Sequence, residues 1–115
     1  MSIEDIFDSA VRSAGDLAGV FEYDGETAYF YLYQTAAEGD TVLDAIHLFS
    51  GRSHFSADDL AIRWDVREDK VGLFIRGELW AVFDAATRSK FGGEYIPGAA
   101  SPLPNSARDS FVHDS

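Results

Sequence analysis

Leu60, Ile62, Trp64 and Val66 alternate with Ala61, Arg63, Asp65 and Arg67, and this period of two is the strongest constraint the chain places on its fold. Successive residues of an extended strand point to opposite faces, so one face of this segment is apolar and the other polar. A strand of that kind is half-buried in an antiparallel sheet. Glu68-Asp69-Lys70 supplies a turn, and Val71, Leu73 and Ile75 continue the apolar face. Gly77-Glu78 is then a two-residue turn into 79–84. With the shortest connections, residues 60–84 form a three-stranded meander.

Earlier in the chain, the segment 20–23, the turn Asp24-Gly25 and the segment 27–34 read as a hairpin, because Asp-Gly supplies the positive φ of a tight turn. On the second strand Tyr29, Tyr31 and Tyr33 share one face, and Ala28, Phe30 and Leu32 the other. Both faces are apolar enough to be covered. Residues 42–49 put Leu43, Ala45, His47 and Phe49 on one face as a strand, or group Leu43, Ile46 and His47 as a helix. The short apolar run between Gly-containing loops favours the strand. Residues 50–59 are a loop with one helical turn begun by Ser56, and 85–91 are weakly helical or extended before Gly92-Gly93.

The N-terminus carries a different signal. Ser2 and Asp5 resemble a capping box, Ile3, Ile6, Phe7, Ala10 and Ala14 recur at helical spacing, and Gly15 can end the run. Residues 3–14 are therefore expected to form a short amphipathic helix docked on the sheet. The fold class that follows is α+β: one mainly antiparallel sheet of about five to six strands, a hairpin plus a meander, with that helix packed on it. At 115 residues the chain is sized for one domain, expected over 1–96. Pro97, Pro102, Pro104 and several serines mark 97–115 as a loosely ordered tail.

The run from Phe21 through Glu22-Tyr23-Asp24-Gly25-Glu26-Thr27-Ala28-Tyr29-Phe30 to Tyr31, together with Leu43-Asp44-Ala45-Ile46-His47-Leu48, Ile62-Arg63-Trp64 and Leu79-Trp80-Ala81-Val82-Phe83-Asp84, resembles a family of small bacterial proteins of unknown function. That family is expected to show F-E-D-D-G-x-T-x-Y-F-Y, I-L-D-A-L-H-I and A-V-F-D stretches. The resemblance covers residues 17–97 and departs from the pattern at Ser89-Lys90-Phe91-Gly92-Gly93. It implies a compact, independently folding domain and brings no activity or catalytic residue with it.

Charge separates the functional classes. The net charge is −11, and residues 1–51 hold ten acids against the single base Arg12, a net −9. Such a half repels phosphate backbones, which argues against nucleic acid as a partner. No apolar run is long enough to span a membrane, and the acidic N-terminus lacks the basic start of a signal peptide, so a cytoplasmic protein is expected. The chain has no cysteine, and no phosphate-binding loop, dinucleotide fingerprint or nucleophile elbow is present, so neither a cofactor nor a metal is expected. Asp44 and His47 would be neighbours on a helix but point to opposite faces of a strand.

The leading expectation is a small non-enzymatic binding module acting through protein–protein contact, as an inhibitor, an immunity-type neutraliser or an accessory factor. Glu22, Asp24, Glu26, Glu38, Asp40 and Asp44 interleave with Tyr29, Tyr31 and Tyr33, a combination suited to a basic partner surface. The same tyrosines, with Tyr23 and Trp80 nearby, could instead line a second core layer under the N-terminal helix, the reading favoured by that helix's need for an apolar face. The alternative function is a small-ligand binder or minor enzyme using a cleft between sheet and helix, lined by His47, Tyr31, Arg63 and Trp80. Self-association through an edge strand, giving a dimer, is a third possibility.

Overall fold

The computed structural model describes residues 5–35, 39, 41–51, 55–93, 95, 103 and 111. Four strands, β1 (Ile6–Val11), β2 (Leu17–Tyr23), β3 (Thr27–Gln34) and β4 (Thr41–Ser50), form one antiparallel meander. A 3-10 turn at Ala57–Asp59 leads into a second meander of β5 (Leu60–Trp64), β6 (Lys70–Ile75), β7 (Glu78–Asp84) and β8 (Ser89–Gly92). Each sheet keeps its strands in chain order.

The architecture is therefore nearly all β, two stacked four-stranded sheets, rather than one sheet of five or six strands carrying a helix. The expected N-terminal helix is β1. Ile6, Phe7 and Ala10 fit a helical period, but Ile6, Asp8 and Ala10 fit a period of two equally well, and the strand pairs residue by residue with β2 from Ile6–Tyr23 to Val11–Ala18. Six residues with a β-branched amino acid at each end and Asp8-Ser9 between them have little intrinsic helical stability, so sheet pairing decides. Residues 2–4 of the expected helix start lie outside the described residues.

The two inner faces share one core. Phe21, Phe30, Leu32, Ile46 and Leu48 of the first sheet meet Val71, Leu73, Ile75, Ala81 and Phe83 of the second. The rings of Phe30 and Phe83 bridge the sheets with centroids 5.2 Å apart. Gly19 faces inward, and a Cβ there would lie 2.6 Å from Val71 Cγ2, so this glycine lets the sheets approach closely. Phe55 and Tyr95, from connecting segments, make an edge-to-face contact at 5.4 Å and are buried with the same core.

Polar contacts seal both flanks of the stack. On one, Trp64 Nε1 donates to the Ala10 carbonyl at 2.9 Å, Arg12 lies over the Trp64 ring, and Ser13 N–H reaches the Glu68 carboxylate. On the other, Tyr95 N–H donates to the Leu48 carbonyl at 2.7 Å, and Lys90 Nζ reaches Asp44 Oδ1 at 2.9 Å and the Ala45 carbonyl at 3.0 Å.

Four local expectations change or sharpen. The clear alternation of 60–67 stops at Trp64: Asp65 is buried and its Oδ1 accepts the Asp69 and Lys70 N–H groups, which closes a turn and leaves Val66 exposed. In β4 two register shifts against β3 break strict alternation, so Leu43 and Phe49, expected on one face with Ala45 and His47, pack on the core beside Ile46 and Leu48, while Ala45 and His47 turn outward. The turn begun by Ser56 is present, with Ser56 N–H donating to Asp59 Oδ2 at 3.0 Å. The 85–91 segment resolves into a turn and the edge strand β8.

The outward face of the second sheet is also covered. Gly72, Phe74, Leu79 and Val82 lie under Phe111, whose ring meets Phe74 edge-on at 5.5 Å, and Leu103 packs beside them. These two residues are the described part of the expected tail; the rest of 97–115 lies outside the described residues.

Candidate functional site

The outward face of the first sheet has no such cover among the described residues. Pairing registers set out three rows across its four strands: Phe7, Glu22, Tyr29 and His47; Ser9, Val20, Tyr31 and Ala45; Val11, Ala18, Tyr33 and Val42. Alternation in β3 sends Phe30 and Leu32 into the core and the three tyrosines outward. Tyr29 and Tyr31 stack at 5.6 Å, Tyr31 meets Tyr33 edge-to-face at 5.8 Å, and His47 abuts Tyr29 at 5.3 Å. Ala18 and Val20 are buried although they face outward, because they lie beside Tyr33 and Tyr31. The tyrosines themselves are half-exposed, and around them Phe7, Val11 and Val42 are 65%, 54% and 47% exposed.

Phe7 was expected on the buried side of a helix. The structure places it on the open face, and with it Val11 and Val42, which sequence reasoning did not connect to the tyrosines. Reading residues 6–11 at a period of two would have exposed the signal, since Phe7, Ser9 and Val11 then fall on one side.

The charges around this face are unevenly committed. Arg12, the base of the first half, is held by Asp16 at 2.7 Å and donates to the Glu68 carbonyl at 2.8 Å. Asp24 Oδ1 accepts the N–H groups of Glu26 and Thr27, closing the β2–β3 turn, and those hydrogen bonds lower its pKa. Asp44 is bonded to Lys90, which lowers its pKa as well. Glu22 is exposed, and its carboxylate makes no hydrogen bond or ion pair among the described residues. Burial raises the Tyr31 hydroxyl pKa, and the negative charge of Glu22 adds to the effect, so that phenol stays neutral.

Glu22, Tyr29, Tyr31 and Tyr33 thus share one face, with Asp24 and Glu26 on the adjoining turn and Asp44 at the seam with β8. Glu38 and Asp40 lie outside the described residues. The cleft set is not assembled. His47 joins the tyrosine row, Arg63 faces outward on the second sheet opposite Gly72, and Trp80 is buried in the core 4.8 Å from Tyr95. Tyr23 is also a core residue, its hydroxyl donating to the Gly51 carbonyl at 2.7 Å. Among the described residues, no three His, Asp or Glu side chains are grouped to hold a metal ion, and no helix is long and apolar enough to cross a membrane.

Comparison with known proteins agrees with the sequence resemblance. The model of the DUF2251 family, described as an uncharacterized protein conserved in bacteria, matches residues 4–109. The chain belongs to this family. The match extends past the 17–97 span of the resemblance at both ends and includes β1. An uncharacterized protein of Haemophilus influenzae is 38% identical over 72 residues, 60% of this chain but 45% of the relative's length. No solved structure matches.

Proposed function

We propose that this DUF2251 domain is a non-enzymatic protein-binding module whose contact surface is the outward face of the first sheet, and that its partner presents a basic surface. The supporting observation is the tyrosine row of β3 left open between exposed Phe7, Val11 and Val42. Contiguous exposed apolar area on a folded domain commonly marks an interaction site, and tyrosine is enriched at the centres of such sites. Electrostatics choose the sign of the partner. The first half carries −9, which favours encounter with a cationic surface.

The test is affinity capture from native-host lysate with the wild-type domain, a Tyr29→Ala/Tyr31→Ala variant and an Arg63→Ala control on the opposite sheet. A partner bound by wild type and control, and lost by the tyrosine variant, is the expected result. A partner retained by the folded tyrosine variant would remove this face as the contact surface.

A further inference from the structure

Resting on the reading of this face as a contact surface, we propose that its recognition element is a guanidinium site: an arginine of the partner protein lies on the rings of Phe7, Tyr29 and Tyr31, with Glu22 as its counter-ion. In the first cross-strand row Glu22 stands between Phe7 on β1 and Tyr29 on β3, so a carboxylate is bracketed by two aromatic side chains on an open sheet face. Tyr31 stacks on Tyr29 and extends the aromatic platform to the next row. The negative potential of Glu22 reaches the Tyr31 hydroxyl, where it helps raise the phenol pKa.

Aromatic faces attract cations, and the planar guanidinium stacks flat on a ring while its edge pairs bidentately with a carboxylate, whereas a compact, strongly hydrated ammonium does both less well. Glu22 is available for that role. Of the other carboxylates near this face, those of Asp24 and Asp44 are occupied by backbone N–H groups and by Lys90, Glu26 stands on the β2–β3 turn outside the cross-strand rows, and Arg12 is committed to Asp16. Charge also decides between occupants. A second copy of this chain would set two faces of the same negative sign against each other, whereas a basic protein segment is complementary.

The probes are hexa-arginine, hexalysine and a neutral peptide of equal length, titrated into the 15N-labelled chain at about 0.15 M salt, where distant charges are screened. Hexa-arginine is expected to shift the backbone amides of Phe7, Glu22, Tyr29 and Tyr31, hexalysine to bind more weakly, and the neutral peptide to leave them unmoved. Glu22→Gln and Tyr31→Leu are each expected to weaken hexa-arginine by about threefold to tenfold. Glu22→Gln changes an exposed side chain and leaves the fold intact, so its outcome does not depend on stability. Equal binding of arginine and lysine peptides, shifts confined to other surfaces, or wild-type affinity in Glu22→Gln would overturn the guanidinium site. If the tyrosine variant loses the captured partner while Glu22→Gln keeps it, the contact surface stands and the arginine recognition fails. If both keep it, both readings fail.

Discussion

The two sheets share strand number, antiparallel order and a common core, yet they treat their outward faces in opposite ways. The second sheet has a notch at Gly72, flanked by Phe74, Leu79 and Val82, and Phe111 fills it from far along the chain. The first sheet has three tyrosines at corresponding outward positions, and water reaches them. Side-chain chemistry explains why both solutions are stable. A face of Phe, Leu and Val must be covered, whereas tyrosine rings shield Ala18 and Val20 while their hydroxyls remain hydrated. A meander thus specifies its inner face by alternation, but the fate of its outer face is decided elsewhere in the chain.

The shared core is where the sheets should be indistinguishable. Phe83→Ala and Phe30→Ala, which each remove half of the bridging ring pair, are expected to cost about 3–5 kcal/mol in urea unfolding. Tryptophan fluorescence, dominated by Trp64 and Trp80 of the second sheet, should report the same midpoint as far-UV circular dichroism. Two separated transitions would show that the sheets unfold independently, and the comparison would then concern two units.

The outer faces should separate next. Phe111→Ala uncovers Phe74 and leaves the Gly72 notch empty, a loss of about 2–3 kcal/mol by the apolar area returned to water. Tyr31→Ala removes a half-exposed ring and is expected to cost about 1 kcal/mol or less. Equal losses in the two variants would mean that the first sheet's outer face is as firmly structural as the second's, and the case for a free contact surface would weaken with it.

The glycines sharpen the contrast further. A Cβ on Gly19 or on Gly72 would meet its first neighbour at 2.6 Å, but the neighbours differ. At Gly19 it is Val71 Cγ2, on a stiff β-branched side chain inside the core; at Gly72 it is Leu79 Cδ1, the far end of a longer one. Gly19→Ala is therefore expected to cost about 1–3 kcal/mol and Gly72→Ala less than that, measured by the same urea midpoints.

Much of this fold was legible where one periodicity stood alone. The 60–84 meander, the Asp24-Gly25 hairpin and the inward Phe30 and Leu32 all followed from alternation between turns, although the second turn of the meander is Arg76-Gly77, both at positive φ, rather than Gly77-Glu78. The reading failed where two periods fitted one short run. Residues 6–11 satisfied both, and long-range pairing with β2, invisible to local pattern, chose the strand. That one error propagated into the site. An amphipathic helix at 3–14 needs an apolar face to dock on, and the tyrosines of β3 offer one, so the same ambiguity of period draws them toward the core. Phe111 was hidden for a different reason: its Pro- and Ser-rich surroundings resemble a tail, and its partners on β6 and β7 are distant in sequence.

The smallest expected effect concerns the flanks: Asp44–Lys90 joins the two sheets directly, whereas Arg12–Asp16 is a pair within the first sheet that holds the guanidinium donating to the Glu68 carbonyl of the second. At the β1–β5 flank the Asp16 carboxylate accepts from Arg12, chiefly through that hydrogen bond, and its pKa is lowered to about 2. At the β4–β8 flank Lys90 likewise lowers Asp44. A carboxylate whose folded pKa lies below its unfolded value contributes stability above the unfolded pKa and loses that contribution as pH falls through the folded one. Asp16→Asn should therefore be less stable than wild type near neutral pH, with the two midpoints converging between about pH 4 and pH 2. The gap should be small and should shrink further in high salt, because the pair is open to solvent. A difference that persists unchanged below pH 2 would assign Asp16 a role in the β1–β2 turn rather than in charge pairing, and the flank would then be held by the Trp64–Ala10 hydrogen bond and the Arg12–Trp64 contact instead.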